Sequence, residues 1–451
     1  MSDPIPIKKE LSSLLSKDRQ FGTDGIRGPV DSTMNPLFVT QLGWAAGTVL
    51  LEEGITKVLI GKDTRISGYM LESALQAGFI SSGIDVILLG PLPTPGVSFL
   101  ANSNKQAGVV ISASHNLFED NGIKFFNKDG QKFSSMLEKR IETKLNQEIE
   151  SVKSINLGKA TRMTDAQGRY IEFCKSNFIN LDLSGLSILL DCAHGATYSV
   201  APKVFEELGA KVDTIGTDPD GVNINQNCGS TSPENIKDEI LKGDYDLGIA
   251  FDGDGDRILL VSKTGKILDG DDLLYILTKQ LDKDSGVVGT LMTNKALELH
   301  FEKENIKFCR ADVGDKYVLQ RLLDEGWQLG GEPSGHIICL DATQTGDAII
   351  AALKLLSCLK ENHFNVDDSI KDFTKFPQTL INLSVDNPNK IILNDKFWSE
   401  VTEIENKLND KGRVLIRPSG TEPLIRIMVE SEIEEYSKDY CNKLADLASR
   451  L

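Results

Sequence analysis

Basic residues are the scarcer charge in this chain of 451 residues: 49 Lys and Arg stand against 66 Asp and Glu, a formal net charge of −17. Nucleic acid and anionic membrane surfaces both call for a basic face, so neither is expected as a partner, and no Lys/Arg tract interleaved with aromatics occurs. An anionic ligand would have to meet a local cluster of cations, because exposed charges separated by more than about 8 Å are largely screened in physiological salt. Long apolar runs are also missing. None approaches the roughly 20 residues of a membrane span, and the N-terminal MSDPIPIKKELSSLL has no signal-peptide core, so a cytoplasmic protein is expected. Cys174, Cys192, Cys228, Cys309, Cys339, Cys358 and Cys441 include no CxxC pair, and their odd number fits no closed disulfide set; reduced thiols in packed positions are expected. His115, His194, His300, His336 and His363 do not have zinc-site spacing. No GxxxxGK[ST] phosphate loop and no low-complexity stretch occurs.

What is present is the composition of a globular protein, 40% hydrophobic and 25% charged, with a length that allows about three domains. Short β-branched runs alternate with helix-length segments almost throughout, the pattern of βαβ units with mostly parallel sheets. KVLIG (57–61), DVILLG (85–90) and AGVVISA (107–113) predict buried strands; LSILLDC near 187, KVDTIG (211–216) and DLGIAF (246–251) repeat the scheme. A hairpin, ILLVSKTGKILDG, leads to GVVGTLMT (286–293), IKFCRAD (306–312) and GWQLGGE (326–332). The end differs: TLINLSV, a helix near 395–409, RVLIR (413–417), LIRIMVE (424–430) and a final amphipathic helix predict a small α+β domain with antiparallel strands. Residues 360–375, rich in Lys and Asn, read as a linker. The expected fold class is α/β, with three consecutive mixed or parallel-sheet domains and a small C-terminal α+β domain.

The chemistry concentrates in four loops. In DLGIAFDGDGDR (246–257), an apolar run ends in Asp252, Asp254 and Asp256 at alternate positions, separated by glycines that let the backbone turn until the three acids converge. Three converging carboxylates suit a hard divalent cation such as Mg²⁺. An EF-hand would need Gly after the third acid and a closing Glu, where Arg257 and Lys263 stand; a dinucleotide loop would need a third glycine, where Ile258 stands. A solvated acidic turn is the plain alternative, and Arg257 argues against it, since a cation beside a metal cluster suits an anionic substrate.

ISASHN (111–116) leaves a predicted strand and sets Ser114 beside His115, a nucleophile with a neighbouring base or else a turn-forming Ser/Asn cluster. DNGIK (120–124) adds the cation Lys124. GGEPSGH (330–336) packs Glu332, Ser334 and His336 into seven residues, a polar set fit to read sugar hydroxyls or an amine, unless it is simply a Pro-Ser-Gly turn. RPSGTEP (417–423) offers the Arg417 fork, the Ser419 and Thr421 hydroxyls and the free backbone N–H groups around Gly420, with Arg426 close behind: an anion cradle. In open α/β sheets ligands gather beyond the carboxyl ends of strands, so four such loops suit one cleft.

With FGTDGIRG (21–28), ISASHN, DGDGDR (252–257), GGEPSGH and RPSGTEP spread from near its start to near its end, the sequence resembles the phosphohexomutase superfamily, most of all its phosphoglucosamine branch. The resemblance spans essentially the whole chain. It implies four domains, residues 1–154, 155–254, 255–370 and 371–451, arranged as a heart around a central cleft. By the same resemblance Ser114 would carry a phosphoryl group, and Asp252, Asp254 and Asp256 would bind one Mg²⁺ together with that phosphate. Arg257 would lie beside them, and Glu332 and Ser334 would read the sugar. Arg417, Ser419, Gly420, Thr421 and Arg426 would hold the phosphate not being transferred. Thr23, Arg27 and Lys124 would line the catalytic end, with Lys124 or His336 as proton carrier.

The implied reaction interconverts glucosamine 6-phosphate and glucosamine 1-phosphate through a sugar 1,6-bisphosphate, feeding UDP-N-acetylglucosamine and cell-wall precursors. A phosphorylated hexosamine is the expected partner, and a homodimer is left open. Two positions depart from the branch pattern: Pro333 stands where Gln is usual, in the specificity loop, and Leu117 where Pro commonly follows SHN. Phosphomannomutase or phosphoglucomutase activity, a serine-nucleophile sugar phosphatase and a non-catalytic sugar-phosphate-binding protein are the alternatives.

Overall fold

The computed structural model describes residues 20–22, 24–282, 284–385, 387–418 and 424–451. The chain divides into two compact units, one comprising Met1–Leu291 with Ala311–Ser369, the other Met292–Arg310 with Ile370–Leu451. The first unit opens with β1 (Ile26–Pro29), β2 (Lys57–Lys62), β3 (Asp85–Pro91), β4 (Ala107–Ile111), β5 (Asp120–Phe126) and β6 (Ala160–Arg162), in spatial order β1-β5-β4-β2-β3-β6. The centre is parallel, while β5 runs antiparallel to both β4 and β1. A second sheet, from β7 (Ser187–Asp191), β8 (Lys211–Ile215), β9 (Leu247–Phe251), β10 (Ile258–Ser262) and β11 (Ile267–Leu268), is ordered β11-β10-β9-β7-β8, parallel at β9-β7-β8 and antiparallel beyond.

The strands β12 (Gly286–Thr290), β13 (Lys307–Ala311), β14 (Leu329–Gly331) and β15 (Ile337–Cys339) follow, with β12 parallel to β14 and β14 antiparallel to β15. In the second unit β16 (Gln378–Ser384), β17 (Gly412–Pro418) and β18 (Leu424–Ser431) make an antiparallel sheet in the order β16-β18-β17, covered by helices Asp395–Leu408 and Glu434–Ser449. Three mixed α/β layers and a small α+β layer are thus present, as the alternation of periods indicated.

Central strands are apolar along their length because helices cover both faces: every residue of β4, β9, β10 and β12 is buried. The helix Pro36–Glu52 starts on Asn35, whose side chain caps Phe38 N at 3.0 Å with Pro at the first turn, and packs Phe38, Leu42 and Trp44 into the core with Leu75 and Phe79. Cys174, Cys192, Cys228, Cys339 and Cys441 are buried, and burial pushes the Cys339 thiol up to about 12, which keeps it inert.

The segment 360–375 carries the boundary between the two units, at Ser369/Ile370, as a linker should, and it is ordered: it holds the short helix Val366–Ser369, and Val366, Ile370 and Phe373 are buried at 2%, 1% and 4% exposure. One expectation changes. The strand expected to run to 113 stops at Ile111, where the backbone turns toward Ser114.

The helix Ala348–Leu359 begins on Asp347, which accepts from Ile349 N and Ile350 N at 3.0 Å each and from the Tyr170 hydroxyl at 2.9 Å. Burial pushes the Asp347 carboxyl up to about 6, although these donors favour its ionised form. The folded protein therefore holds this proton more tightly than the unfolded chain, so the contribution is full below pH about 4 and is lost as pH rises through about 6. A rise of that size is worth about 3 kcal/mol. Urea melts of wild type and Asp347→Asn from pH about 4 to about 7 should show their unfolding free energies diverging by about that amount. A constant difference would contradict it.

Candidate active site

Beyond Ile111 the chain enters the loop Ser112–Asn116, and Ser114 takes a left-handed backbone with φ 52°. A non-glycine residue there costs on the order of 1 kcal/mol, so the conformation must be held from outside. Ser114 N donates to Ser112 Oγ at 2.9 Å; the Ser114 carbonyl accepts from Asn225 Nδ2 at 2.9 Å and Arg65 Nη2 at 3.2 Å. Both clamps also reach the Asn116 carbonyl. Arg65 is itself buried against Asp63. So braced, Ser114 Oγ, buried, donates to Asp252 Oδ2 at 2.7 Å, with His115 Nδ1 at 3.3 Å. Gly253 permits the approach of the two loops: a Cβ there would lie 2.6 Å from the Ser114 carbonyl oxygen.

The acidic loop closes at the end of β9. Asp252 Oδ1 accepts from the backbone N–H of Gly255, Asp256 and Arg257 at 3.0, 3.1 and 3.2 Å. The loop's three following carbonyls are each held by a different part of the unit: Gly253 O by Ala196 N at 2.8 Å, Asp254 O by Thr94 N at 2.8 Å, and Gly255 O by Ala348 N at 3.1 Å. Thr94 and Ala348 are first residues of helices. The result brings one carboxylate oxygen of each of Asp252, Asp254 and Asp256, all buried, within 4.8 Å of the other two. Asp254 Oδ1 and Asp256 Oδ1 are buried without a hydrogen-bond partner, a costly state for carboxylate oxygens unless something binds them. An all-oxygen donor set with unsatisfied oxygens fits a hard divalent ion such as Mg²⁺.

Charge around this cluster alternates. Lys124, the fifth residue of β5 and buried, places Nζ 2.7 Å from Asp254 Oδ2, 3.0 Å from Asp24 Oδ2 and 3.4 Å from Asp256 Oδ2. Asp24 also pairs with Arg27 and with Lys132, whose Nζ is 2.6 Å from both Asp24 Oδ1 and Asp315 Oδ2. Burial works against the Lys124 charge, but Asp24, Asp254 and Asp256 hold its pKa above the ordinary lysine value. Burial pushes Asp252 well above the usual carboxylate range, helped by Asp256 and Asp254; Asp254 escapes the same fate because Lys124 offsets its burial and brings it below that range. Burial, with Arg257 and Arg27, lowers His115 to about 4.

His336, buried, has Nε2 3.7 Å from Asp315 Oδ2 and 3.9 Å from Asp256 Oδ2. Glu332 Oε1 accepts from Gly314 N at 2.6 Å, and Ser334 Oγ lies 3.4 Å from Glu332 Oε2. Glu332 acts on Arg257, whose Nε is 3.9 Å from Asp256 Oδ1. The turn 332–335 closes through Gly335 N on Glu332 O at 3.0 Å, with Pro333 inside it, and Pro333 O accepts from Gly270 N at 3.1 Å.

Of the residues singled out in the sequence, Ser114, Asp252, Asp254, Asp256, Lys124, Arg27, Arg257, Glu332, Ser334 and His336 all fall in one connected cluster. Arg417 and Arg426 stand directly opposite each other on β17 and β18 in the second unit. Like charges placed so are unfavourable without an anion between them. Thr23, Ser419, Gly420 and Thr421 lie outside the described residues. Asp24, Lys132, Asp315, Arg65, Asn225 and Thr94 were not singled out. Asp24 does sit inside FGTDGIRG, but the Lys132–Asp24 pair joins positions 108 residues apart, which no local pattern signals.

Family models of the phosphoglucomutase/phosphomannomutase alpha/beta/alpha domains I, II and III match residues 18–152, 168–265 and 269–376, and that of the C-terminal domain matches 380–447. The chain belongs to the phosphoglucomutase/phosphomannomutase family. Among its curated relatives, a phosphoglucosamine mutase of Legionella pneumophila (strain Corby) is 51% identical over 444 residues, 97% of this chain and 98% of the relative. A phosphoglucosamine mutase of Aeromonas hydrophila subsp. hydrophila is 52% identical over 434 residues, 95% and 98% of the two chains. Two solved structures share the fold. A phosphoglucomutase/phosphomannomutase family protein from Burkholderia thailandensis superposes with a TM-score of 0.82 at 23% identity, over 96% of this chain and 98% of the other. The N-acetylphosphoglucosamine mutase of Aspergillus fumigatus, in complex with GlcNAc-6P and magnesium, superposes with a TM-score of 0.68 at 15% identity, over 99% of each chain. For a member of the phosphoglucomutase/phosphomannomutase family the cluster above is the natural candidate active site.

Proposed function

We propose that this protein is a phosphoglucosamine mutase, interconverting glucosamine 6-phosphate and glucosamine 1-phosphate through a phosphorylated Ser114 and the 1,6-bisphosphate. The observation that carries the reading is Ser114 Oγ held 2.7 Å from Asp252, at the rim of three converging carboxylates. The relatives at about 50% identity, both phosphoglucosamine mutases, support glucosamine as the sugar.

In the forward half-reaction the bond between phosphorus and Ser114 Oγ breaks and a bond to O1 of the sugar forms, with the O1 proton passing to a base and a proton returning to Ser114 Oγ. The bisphosphate turns end over end. In the second half the bond between phosphorus and O6 breaks and the 6-phosphoryl moves to Ser114 Oγ; the serine proton leaves and O6 takes up a proton, so no proton is consumed over the cycle. Such transfers depend on positioning and charge neutralisation more than on covalent chemistry. Mg²⁺ bound by Asp252, Asp254, Asp256 and a phosphate oxygen on Ser114 would polarise the phosphoryl group and offset its charge. Lys124 and Arg257 supply fixed positive charge at the same place. Lys124 remains an ammonium among its carboxylates, which suits charge stabilisation, so His336 is the better base for the O1 proton. His115, neutral at pH 7 and 3.3 Å from Oγ, suits the serine proton. On this reading Glu332 and Ser334 would read the sugar, Arg27 and Thr23 would serve the catalytic end, and Arg417, Ser419, Gly420, Thr421 and Arg426 would hold the phosphate that is not being transferred.

Side-by-side assays of glucosamine, mannose and glucose 6-phosphates, primed with a sugar 1,6-bisphosphate, test the substrate. The expected order puts glucosamine 6-phosphate first in kcat/KM by about tenfold or more. Preference for either neutral hexose would reassign the branch, and release of inorganic phosphate at the rate of substrate loss would make the protein a phosphatase.

A further inference from the structure

The tripeptide Gly346-Asp347-Ala348 belongs to none of the four loops, yet it touches two of them. Asp347, 1% exposed, fixes the first turn of the helix Ala348–Leu359 through Ile349 N and Ile350 N, and its other oxygen accepts from the Tyr170 hydroxyl. The first amide of that helix, Ala348 N, donates to Gly255 O, and Gly255 N in turn donates to Asp252 Oδ1 at 3.0 Å. Gly255 is the residue between Asp254 and Asp256. On the other side, the Gly346 backbone packs closely against the His336 ring: a Cβ at Gly346 would sit 2.3 Å from both Cε1 and Nε2 of the imidazole. Gly346 also forms a β-bridge with Ile338, two residues past His336.

We infer that this turn is a positioning element for the reaction, with Asp347 and Ala348 setting the conformation of the metal loop and Gly346 setting the position of the His336 ring. The path from Tyr170 is continuous: hydroxyl to Asp347, Asp347 to the helix start, helix amide to the Gly255 carbonyl, and Gly255 amide to Asp252. Each link is a hydrogen bond of 2.9 to 3.1 Å. Residues that orient metal ligands from behind typically change metal affinity or activity by about 10- to 100-fold when removed. Asp347 and Ala348 touch neither ion nor substrate, so their effect should appear as metal affinity. Gly346 should act on turnover through His336.

The inference rests on the metal reading proposed above, so the test measures Mn²⁺ binding directly, by electron paramagnetic resonance titration, beside Mg²⁺ activation. Asp347→Ala is expected to raise the half-saturating concentration of both ions by about tenfold or more. Asp347→Asn, which keeps an oxygen to cap the helix, should restore it. Ala348→Pro is tolerated at a first helical position but replaces the N–H with a ring methylene aimed at the Gly255 carbonyl, and should weaken Mn²⁺ binding at least as much. If Asp347→Ala does not fold, Tyr170→Phe removes only the outermost link and should weaken Mn²⁺ binding by a smaller factor. Gly346→Ala should lower kcat at saturating Mg²⁺ while leaving Mn²⁺ affinity unchanged. Folded Asp347→Ala and Ala348→Pro proteins that bind Mn²⁺ as tightly as wild type would overturn the inference and leave the metal site standing. A wild-type protein that binds no Mn²⁺ would overturn both.

Discussion

Replacing Ser114 by alanine is expected to reduce mutase turnover by roughly 10⁴-fold or more, the scale of loss when a covalent nucleophile is deleted. The hydroxyl is the only part of the side chain that the substitution removes. Alanine retains the Cβ, the strained φ of 52° remains clamped by Arg65 and Asn225, and only the hydroxyl's contacts with Asp252 and His115 are lost. Sugar-phosphate binding should therefore persist, since the groups proposed to hold the sugar and the distal phosphate are Glu332, Ser334, Arg417 and Arg426. Calorimetric titration with glucosamine 6-phosphate, beside a coupled assay, separates the two effects. A variant with near-normal turnover, or one that neither binds nor turns over while still folded, would contradict the role given to this residue.

The second large effect is expected at Asp254. Asp254→Ala removes one of three converging carboxylates and the closest partner of Lys124, at 2.7 Å. Loss of a preorganised charge-stabilising group in a buried site costs on the order of 10² to 10³ in rate, and here the metal is expected to be weakened as well. Turnover should fall by roughly 10³-fold and not recover with added Mg²⁺. Folding should survive, because Lys124 keeps Asp24 and Asp256 as partners and the crowding of like charges in the acidic loop is relieved. Thermal melts with and without Mg²⁺ make the comparison: wild type should melt higher with the ion, and the variant should show no shift. Mg²⁺-dependent activity retained in Asp254→Ala would contradict the metal role of this loop.

Much of the molecule is legible in its chain. The acidic loop reads directly because strand β9 is a five-residue apolar run that ends abruptly in charge, and the reason for the alternate glycines, close backbone approach, is local. The antiparallel C-terminal sheet reads from a change in hydrophobic period. Strand β5 is harder to see: its first residues are polar, yet Asn121 is buried, donating to Ser67 Oγ at 2.8 Å, and Lys124 is buried among the site's carboxylates, so structural and functional demands together mask the alternation of a strand. The segment 360–375 reads as a linker and does carry the boundary between the units, but its charged composition hides the burial of Val366, Ile370 and Phe373. Least legible is the support behind the loops. Arg65, Asn225, Lys132 and Asp347 act on partners tens to hundreds of residues away, as with Tyr170 and Asp347, 177 positions apart. Only the folded chain brings such pairs together.

The most direct test is to incubate the purified protein with a sugar 1,6-bisphosphate and map the phosphate by peptide mass spectrometry, then chase with glucosamine 6-phosphate. One phosphoryl group should be found on the peptide containing Ser114, located on that residue, and the chase should yield glucosamine 1-phosphate without release of inorganic phosphate. An active protein with Ser114 unmodified throughout, or with the phosphoryl group on another residue, would contradict the proposed mechanism.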